Sequence, residues 1–152
     1  MTRFEAARQA RRALDARLTT TDVTVLTPPR VGWVRAIRSA LGMSAAELGS
    51  RMGVSKQAVS SLQTSEVAGT VRLESLQRAA SAMDCRLVYA LIPWSTLQGT
   101  VESQAARIVD ALAASIAHTM ALEGQGVELS AASRADHVDD LIRSGRIWGP
   151  PR

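Results

Sequence analysis

The chain has 152 residues and a formal net charge of +4; hydrophobic residues make up 46% of it and aromatic residues only 3%. This composition favours packed helices over a β-sandwich or barrel. The single cysteine excludes an internal disulfide and fits a reducing compartment. No signal peptide is evident, and the longest apolar run, residues 87–94, is too short to cross a bilayer, so we expect a cytoplasmic protein.

The charge is unevenly distributed along the chain. Residues 1–93 carry 13 basic and 7 acidic side chains, whereas residues 94–152 carry 5 basic and 7 acidic ones. A basic front half suits a polyanionic partner, and a mildly acidic back half suits a different one. The sequence therefore predicts two partners.

The first predicted element is a helix over residues 3–18. Thr2 followed by Glu5 forms a capping-box pattern at its start, and the segment is rich in Ala, Leu and Arg. The two prolines that begin the next segment block continuation of a helix. We therefore predict that residues 1–27 form an N-terminal helix and a linker.

Four short helices with tight glycine turns are predicted between residues 31 and 83. In the second of them, Ser44 followed by Glu47 forms another capping-box pattern, and Gly53 ends the helix. Ser55 is placed to cap the third helix. These four helices make residues 28–93 a predicted helical domain.

Residues 86–92 differ from the helical segments because both alternating faces are apolar. A short run of this kind predicts a buried β-strand. A lone strand leaves its backbone groups unpaired, so we expect it to pair with the same strand of a second copy in a two-fold dimer. The alternative partner within the chain is the segment at residues 23–26.

Residues 94–152 are predicted to form a helical region. Apolar residues recur every three or four positions over residues 97–120, which predicts a long amphipathic helix with a stripe for another surface. A shorter helix is predicted over residues 134–144, capped by Ser133 and Asp136. The fold class is thus mainly α, with one short strand.

Residues 44–64 have the punctuation of two helices that meet through a tight turn. Gly53 permits the turn, Val54 is placed to pack beneath it, and the small Gly49 lets the second helix approach. The exposed face of the second helix offers amide, amine and hydroxyl groups that suit base edges and phosphates. The candidate DNA-binding residues are Ser44, Ser55, Lys56, Gln57, Ser60, Ser61 and Thr64.

This stretch resembles the lambda-repressor and Cro-like helix-turn-helix family, over about residues 31–83. The resemblance implies that the helix at residues 56–64 enters the major groove and that a dimer binds a palindromic operator. Two positions depart from the family pattern: Ala45 stands where a glutamine is usual, and Gly49 stands where an alanine is usual.

Thr119 and Glu123 lie one turn apart at the end of the long predicted helix, and Gly124 is placed to end it. A carboxylate there faces the negative end of the helix dipole, which is unfavourable. We therefore expect a group outside the helix to bind Glu123. The alternative is a solvated helix end with no partner.

The spacing Ser/Thr-x-x-x-Glu-Gly/Asn resembles the inhibitory-helix motif of antitoxins that silence Fic-domain enzymes, which transfer AMP from ATP to a protein hydroxyl. The resemblance implies that Glu123 pairs with an arginine of the Fic active site and occupies the position of the ATP γ-phosphate. It also implies that Thr119 adds a hydrogen bond, so the predicted inhibitory motif is Thr119, Glu123 and Gly124.

Three blocks of sequence, at residues 28–44, 69–93 and 117–127, together resemble the family named mobile mystery protein A. Members of that family look like repressor-type proteins encoded beside a Fic-domain partner. The resemblance implies an antitoxin that represses its own operon and inhibits a Fic-domain toxin. The alternative is a stand-alone repressor whose C-terminal helices serve dimerisation only.

Enzymatic function is not expected. No nucleophile–base pair, phosphate-binding loop or Fic catalytic motif is evident, and His118 and His137 lack neighbours at metal-ligand spacing. We therefore expect no metal and no cofactor. The predicted partners are double-stranded DNA, a Fic-domain toxin and a second copy of the chain.

Overall fold

A computed structural model of the protein describes residues 2–122 and 130–149. Within these ranges the chain is mainly helical, as predicted, and no helix is long and apolar enough to cross a membrane. The described residues form seven helices: α1 (Arg3–Leu18), α2 (Trp33–Ala40), α3 (Ala45–Met52), α4 (Lys56–Val67), α5 (Leu73–Ala82), α6 (Leu97–Leu122) and α7 (Ala131–Ser144).

The chain divides into two compact units. The central unit is Asp22–Leu91, and the terminal unit combines Met1–Thr21 with Ile92–Arg152. Helix α1 packs against α6 and α7, so the N-terminal helix lies with the C-terminal region. The two compact units are defined by contacts, whereas the predicted domains at residues 1–27, 28–93 and 94–152 are defined by their expected functions. The three-part division therefore stays a prediction.

The central unit is built from α2–α5 around one apolar core. Helix α3 packs against α4 and α5, and α2 packs against the same two helices. Leu48 and Val59 are fully buried where α3 meets α4. Further apolar side chains complete the core around them: Val34, Ala79 and Met83 are buried, and Ile37, Val54, Leu62 and Leu76 pack against them.

The start of α2 depends on a residue far away in the sequence. The Glu66 carboxylate accepts hydrogen bonds from the backbone N–H groups of Trp33, at 2.7 Å, and Val34, at 3.1 Å. Helix α2 needs this partner because its N-cap is Gly32, which has no side chain to offer. Gly32 also has φ +80°, and a Cβ there would lie 2.7 Å from a Glu66 carboxylate oxygen.

We predict that Glu66→Ala lowers the free energy of unfolding of the central unit by about 1–2 kcal/mol, because two helix-start N–H groups lose their acceptor. Urea denaturation followed by circular dichroism measures the loss. The matched control is Glu74→Ala, which removes an exposed carboxylate from the first turn of α5. Equal stability of the two variants would contradict the capping role of Glu66.

The terminal unit is a three-helix arrangement in which α6 packs against both α1 and α7. Asp15 of α1 caps α6, because its carboxylate accepts from the backbone N–H groups of Leu97, at 2.7 Å, and Gln98, at 3.1 Å. Arg134 of α7 forms a two-bond pair with Asp110 of α6, with both distances 2.7 Å. The buried core residues are Val101, Ala105, Val109, Ile142 and Ile147.

The predicted strand is not found. No β-strand occurs in residues 2–122 or 130–149, and residues 86–92 have no regular structure within the single chain. The alternative partner at residues 23–26 forms turns, with the N–H of Leu26 bonded to the carbonyl of Val23 at 3.1 Å. A β-strand exists only when its backbone groups form hydrogen bonds to a neighbouring strand. The described part of the chain provides no such neighbour for residues 86–92.

The last helix begins earlier than predicted. Its N-cap is Ser130, whose hydroxyl accepts from the N–H of Ser133 at 3.2 Å, and α7 starts at Ala131. Ser133 and Asp136, the predicted caps, therefore lie inside the helix. Two alanines follow Ser130, and their high helix propensity extends the helix back to the earlier serine. The predicted end of the helix before Gly145 is confirmed.

Candidate nucleic-acid interface

The helix that precedes the turn is locked at its start by the predicted capping box. The N–H of Glu47 donates to the Ser44 hydroxyl at 3.1 Å, and the N–H of Ser44 donates to the Glu47 carboxylate at 2.6 Å. Hydrogen bonds to the Glu47 carboxylate, first from the backbone N–H of Ser44 and then from its side chain, hold the pKa of Glu47 below its usual value. Helix α3 therefore begins at a defined residue.

The turn between α3 and α4 has the geometry that the sequence predicts. Gly53 ends α3 in the left-handed conformation, at φ +71°. This conformation is strained for a residue with a side chain but not for glycine. The next residue, Val54, packs against the core. Ser55 then caps α4, since its hydroxyl accepts from the N–H of Ala58 at 3.1 Å. The end of α3 and the start of α4 are thus both fixed within three residues.

Gly49 allows α3 to approach the turn closely. A Cβ added at this buried glycine would lie 2.7 Å from the carbonyl oxygen of Val54 and 3.2 Å from the carbonyl carbon of Ser55. These are backbone atoms, which cannot rotate away as the end of a side chain can. The close contact fixes the start of α4 against α3, and with it the direction of the face that α4 presents.

That exposed face of α4 carries the predicted polar side chains. Ser60 and Thr64 each donate to a backbone carbonyl one turn earlier, at 3.2 and 3.1 Å, which leaves their hydroxyl oxygens able to accept. No side-chain hydrogen bond is formed by Lys56, Gln57 or Ser61 to the described residues. All seven candidate DNA-binding residues are exposed: Ser44, Ser55, Lys56, Gln57, Ser60, Ser61 and Thr64.

Ser44 and Ser55 stand apart from the other five candidates. Both lie at N-caps and use their hydroxyl oxygens as acceptors inside the protein. The Ser55 hydroxyl proton remains available to donate to an anion, and a helix N-terminus is a favourable place for a phosphate. The structure therefore brings Lys56, Gln57, Ser60, Ser61 and Thr64 together on α4, and places the two serines at the starts of α3 and α4.

Part of the basic excess of the central unit serves the fold itself. Arg38 donates to the carbonyl of Met43, Arg51 to that of Ala82, and Arg78 to that of Met52. A second group of basic residues is exposed and forms no side-chain bond to the described residues, which adds candidates that sequence reasoning missed. They are Arg30, Arg35, Arg72 and Arg86. The basic charge of residues 1–93 was their only sequence signal.

The second candidate site, on α6, is described in part. Thr119 is exposed and donates its hydroxyl to the carbonyl of Ser115 at 3.1 Å, whereas Glu123 and Gly124 lie outside the described residues. Leu112 and Ile116 of the predicted stripe are exposed. Both side chains line a groove of about 420 Å³ between α6 and α7, together with the apolar Val109 and Leu141 and the polar His137, Asp140, Ser144 and Arg146.

In the described part of the chain, no group of three or more His, Cys, Asp or Glu side chains is placed to hold a metal ion. The search of protein-family models, of curated proteins and of solved structures found no match to the chain.

Proposed function

We propose that this protein is a sequence-specific DNA-binding repressor. One observation carries the proposal: α3 and α4 pack together through buried apolar side chains and are joined by a glycine turn, and α4 presents an exposed polar face. A helix of this width fits the major groove of B-DNA, where amide and amine side chains distinguish the bases. The exposed arginines of the same unit supply contacts to phosphates.

The individual side chains suggest a division of work. Gln57 suits adenine, because its amide can donate and accept at once, and Lys56 suits guanine, which presents two acceptors. Ser60, Ser61 and Thr64 can serve either bases or phosphates. Lys56 and Gln57 are the first two residues of α4, and in helix-turn-helix proteins the N-terminal residues of the recognition helix contact the base edges.

Binding to DNA from the promoter of the protein's own gene tests the repressor proposal. Fluorescence anisotropy should show specific binding that weakens steeply with salt, because phosphate contacts release counterions. A scrambled duplex of equal length is the control. If both duplexes bind equally at every salt concentration, α4 does not read sequence.

We predict that Gln57→Ala weakens operator binding by about 1–3 kcal/mol, mostly through one base position, because a bidentate contact to one base is lost. Anisotropy titrations with the selected operator and its single-base variants measure this loss. The matched control is Gln9→Ala, which removes an exposed glutamine from α1. Unchanged affinity of the Gln57→Ala variant would contradict the placement of α4 against the bases.

We further propose that the protein is an antitoxin, in which α6 delivers Glu123 to the ATP γ-phosphate position of a Fic-domain toxin. Three features support this: the resemblance of the Thr119–Gly124 motif, the exposed position of Thr119, and the exposed apolar side chains of Leu112 and Ile116 on the same helix. The alternative is a stand-alone repressor. A Fic domain encoded by the neighbouring open reading frame would favour the antitoxin.

A further inference from the structure

Helix α1 packs onto the terminal unit with one face. Phe4, Arg11, Asp15 and Leu18 are partly buried, and their spacing of seven, four and three residues places them along one side of the helix. Phe4 packs against the apolar core of the unit, and Arg11 donates from Nε to the side-chain oxygen of Gln98 at 2.9 Å. The opposite side of α1 is left to solvent.

The solvent-facing part of α1 is strongly basic. Residues 1–21 carry five arginines and two acidic side chains, a net charge of +3. The whole central unit has the same net charge, from eight basic and five acidic side chains. Of the five arginines, Arg11 is bonded into the terminal unit. The other four are exposed and form no side-chain hydrogen bond or ion pair with a described residue: Arg3, Arg8, Arg12 and Arg17.

Both acidic residues of α1 are bound to helix starts. The Glu5 carboxylate accepts from the N–H of Thr2 at 2.7 Å, and Asp15 caps α6. Arg8 and Arg12 lie one turn apart, a spacing at which like charges destabilise a helix. The acidic side chains described on α6 and α7 form no ion pair with an arginine of α1; they are Glu102, Asp110, Asp136, Asp139 and Asp140. The surface of α1 therefore keeps an excess of positive charge.

We propose that the exposed arginines of α1 bind the phosphate backbone of DNA, so that the terminal unit has a DNA contact surface of its own. Guanidinium groups form paired hydrogen bonds to phosphate oxygens. From Arg3 to Arg17 the helix rises by about 21 Å at 1.5 Å per residue, which matches roughly six phosphates along one strand. The inference rests on the proposed DNA binding. It adds affinity for any duplex, because phosphate contacts carry no sequence information.

The residues between these arginines favour a nucleic acid over an acidic protein as the partner. Ala10, Ala13 and Ala16 are exposed, and Leu14, at 45% exposure, is the large apolar side chain among them. Protein interfaces depend on clusters of large, mostly aromatic, anchors that become fully buried. Small side chains between arginines instead let a phosphate backbone approach the helix closely. The surface thus offers charge without a cluster of apolar anchors.

The salt dependence of DNA binding tests the role of α1, with Arg8→Gln and Arg12→Gln combined in one variant. Each phosphate contact contributes about 0.9 to the slope of log affinity against log salt concentration, so losing two contacts should reduce the slope by about 1.8. Between about 50 and about 200 mM salt, the affinity of the unmodified protein should fall about 12-fold more than that of the variant. Fluorescence anisotropy measures both slopes, on the operator and on a scrambled duplex, and the reduction should be the same on each.

The matched control combines Arg107→Gln with Arg143→Gln, which removes two exposed arginines from α6 and α7 and changes the net charge by the same amount. Its slope should equal that of the unmodified protein. Circular dichroism should show unchanged helix content in both variants, because glutamine forms helices nearly as well as arginine.

The outcomes separate this inference from the proposed function. If the operator is still preferred over the scrambled duplex but the α1 variant keeps the full slope, α1 does not contact DNA and the repressor proposal stands. An equal reduction of the slope in the control variant would likewise overturn the inference, since net charge alone would then account for it. If the unmodified protein shows no preference for the operator, the repressor proposal fails, and a smaller slope for the α1 variant on the scrambled duplex would still support the contact through α1.

Discussion

Leu48→Ala is expected to lower the free energy of unfolding of the central unit by about 2–5 kcal/mol, the range measured for fully buried leucines. Leu48 of α3 has no exposed surface and lies in the same core as Val59 of α4. Because small domains have a total stability of about 5–15 kcal/mol, this loss removes a large fraction of it. Urea denaturation followed by circular dichroism measures the change.

The matched control for that experiment is Leu73→Ala on α5, where the side chain is 49% exposed. The same atoms are removed from a partly solvated site, so the cost should stay below about 1 kcal/mol. If both variants lose the same stability, the core described for α3 and α4 is wrong. Leu48→Ala should also reduce DNA binding, in proportion to the unfolded fraction.

The comparison of Leu48→Ala with Gln57→Ala separates the scaffold from the interface. Both residues belong to the helix pair, but Leu48 is buried and Gln57 is exposed. The first variant should lose affinity only as it unfolds, and it should regain affinity when osmolytes stabilise the folded state. The second should keep its stability and lose affinity with or without osmolytes. A shared pattern would mean that Gln57 supports the fold and does not contact DNA.

The features that sequence predicted well depend on short-range chemistry. The Thr2–Glu5 and Ser44–Glu47 capping boxes each join residues three apart, and both are present in the structure. Gly53 follows α3 because only a residue tolerant of positive φ can end the helix there. The exposed face of α4 could be predicted for the same reason, since the turn and the cap at Ser55 determine which side faces the core.

The features that sequence missed depend on contacts across many residues. Glu66 caps α2 from 32 and 33 positions away, and Asp15 caps α6 from 82 and 83 positions away. No local pattern marks either carboxylate as a cap. For that reason the packing of α1 with the C-terminal helices was not predicted.

Two errors have different causes. The helix start at Ser130 was misplaced because Ser133 also suits an N-cap, and local sequence does not rank the two. The strand at residues 86–92 was predicted from its apolar pattern, but a strand also needs a partner, which the pattern cannot supply. The arginines present the same difficulty: only their contacts separate Arg38, Arg51 and Arg78 from arginines that remain available for phosphates.

Glu123→Gln is expected to weaken inhibition of the proposed Fic-domain toxin strongly while operator binding is unchanged. In the proposed complex this carboxylate lies against an arginine in a site closed to water, and removing one partner of such a pair costs about 2–5 kcal/mol. That cost corresponds to roughly 30-fold to several-thousand-fold weaker inhibition. Glutamine keeps the shape of the side chain, so the loss reports its charge. The measurement is AMP transfer by the co-expressed toxin, titrated with purified protein.

The control variant is Glu102→Gln, which removes a carboxylate from the first half of α6. It should inhibit as well as the unmodified protein, because Glu102 is exposed and bonds to Gln98, at 2.8 Å, within its own helix. Thr119→Ala should weaken inhibition by only about 0.5–1.5 kcal/mol, the contribution of one neutral hydrogen bond. Full inhibition by Glu123→Gln would leave α6 with a role in packing alone, and the protein would then be a repressor without a toxin-binding site at this helix end.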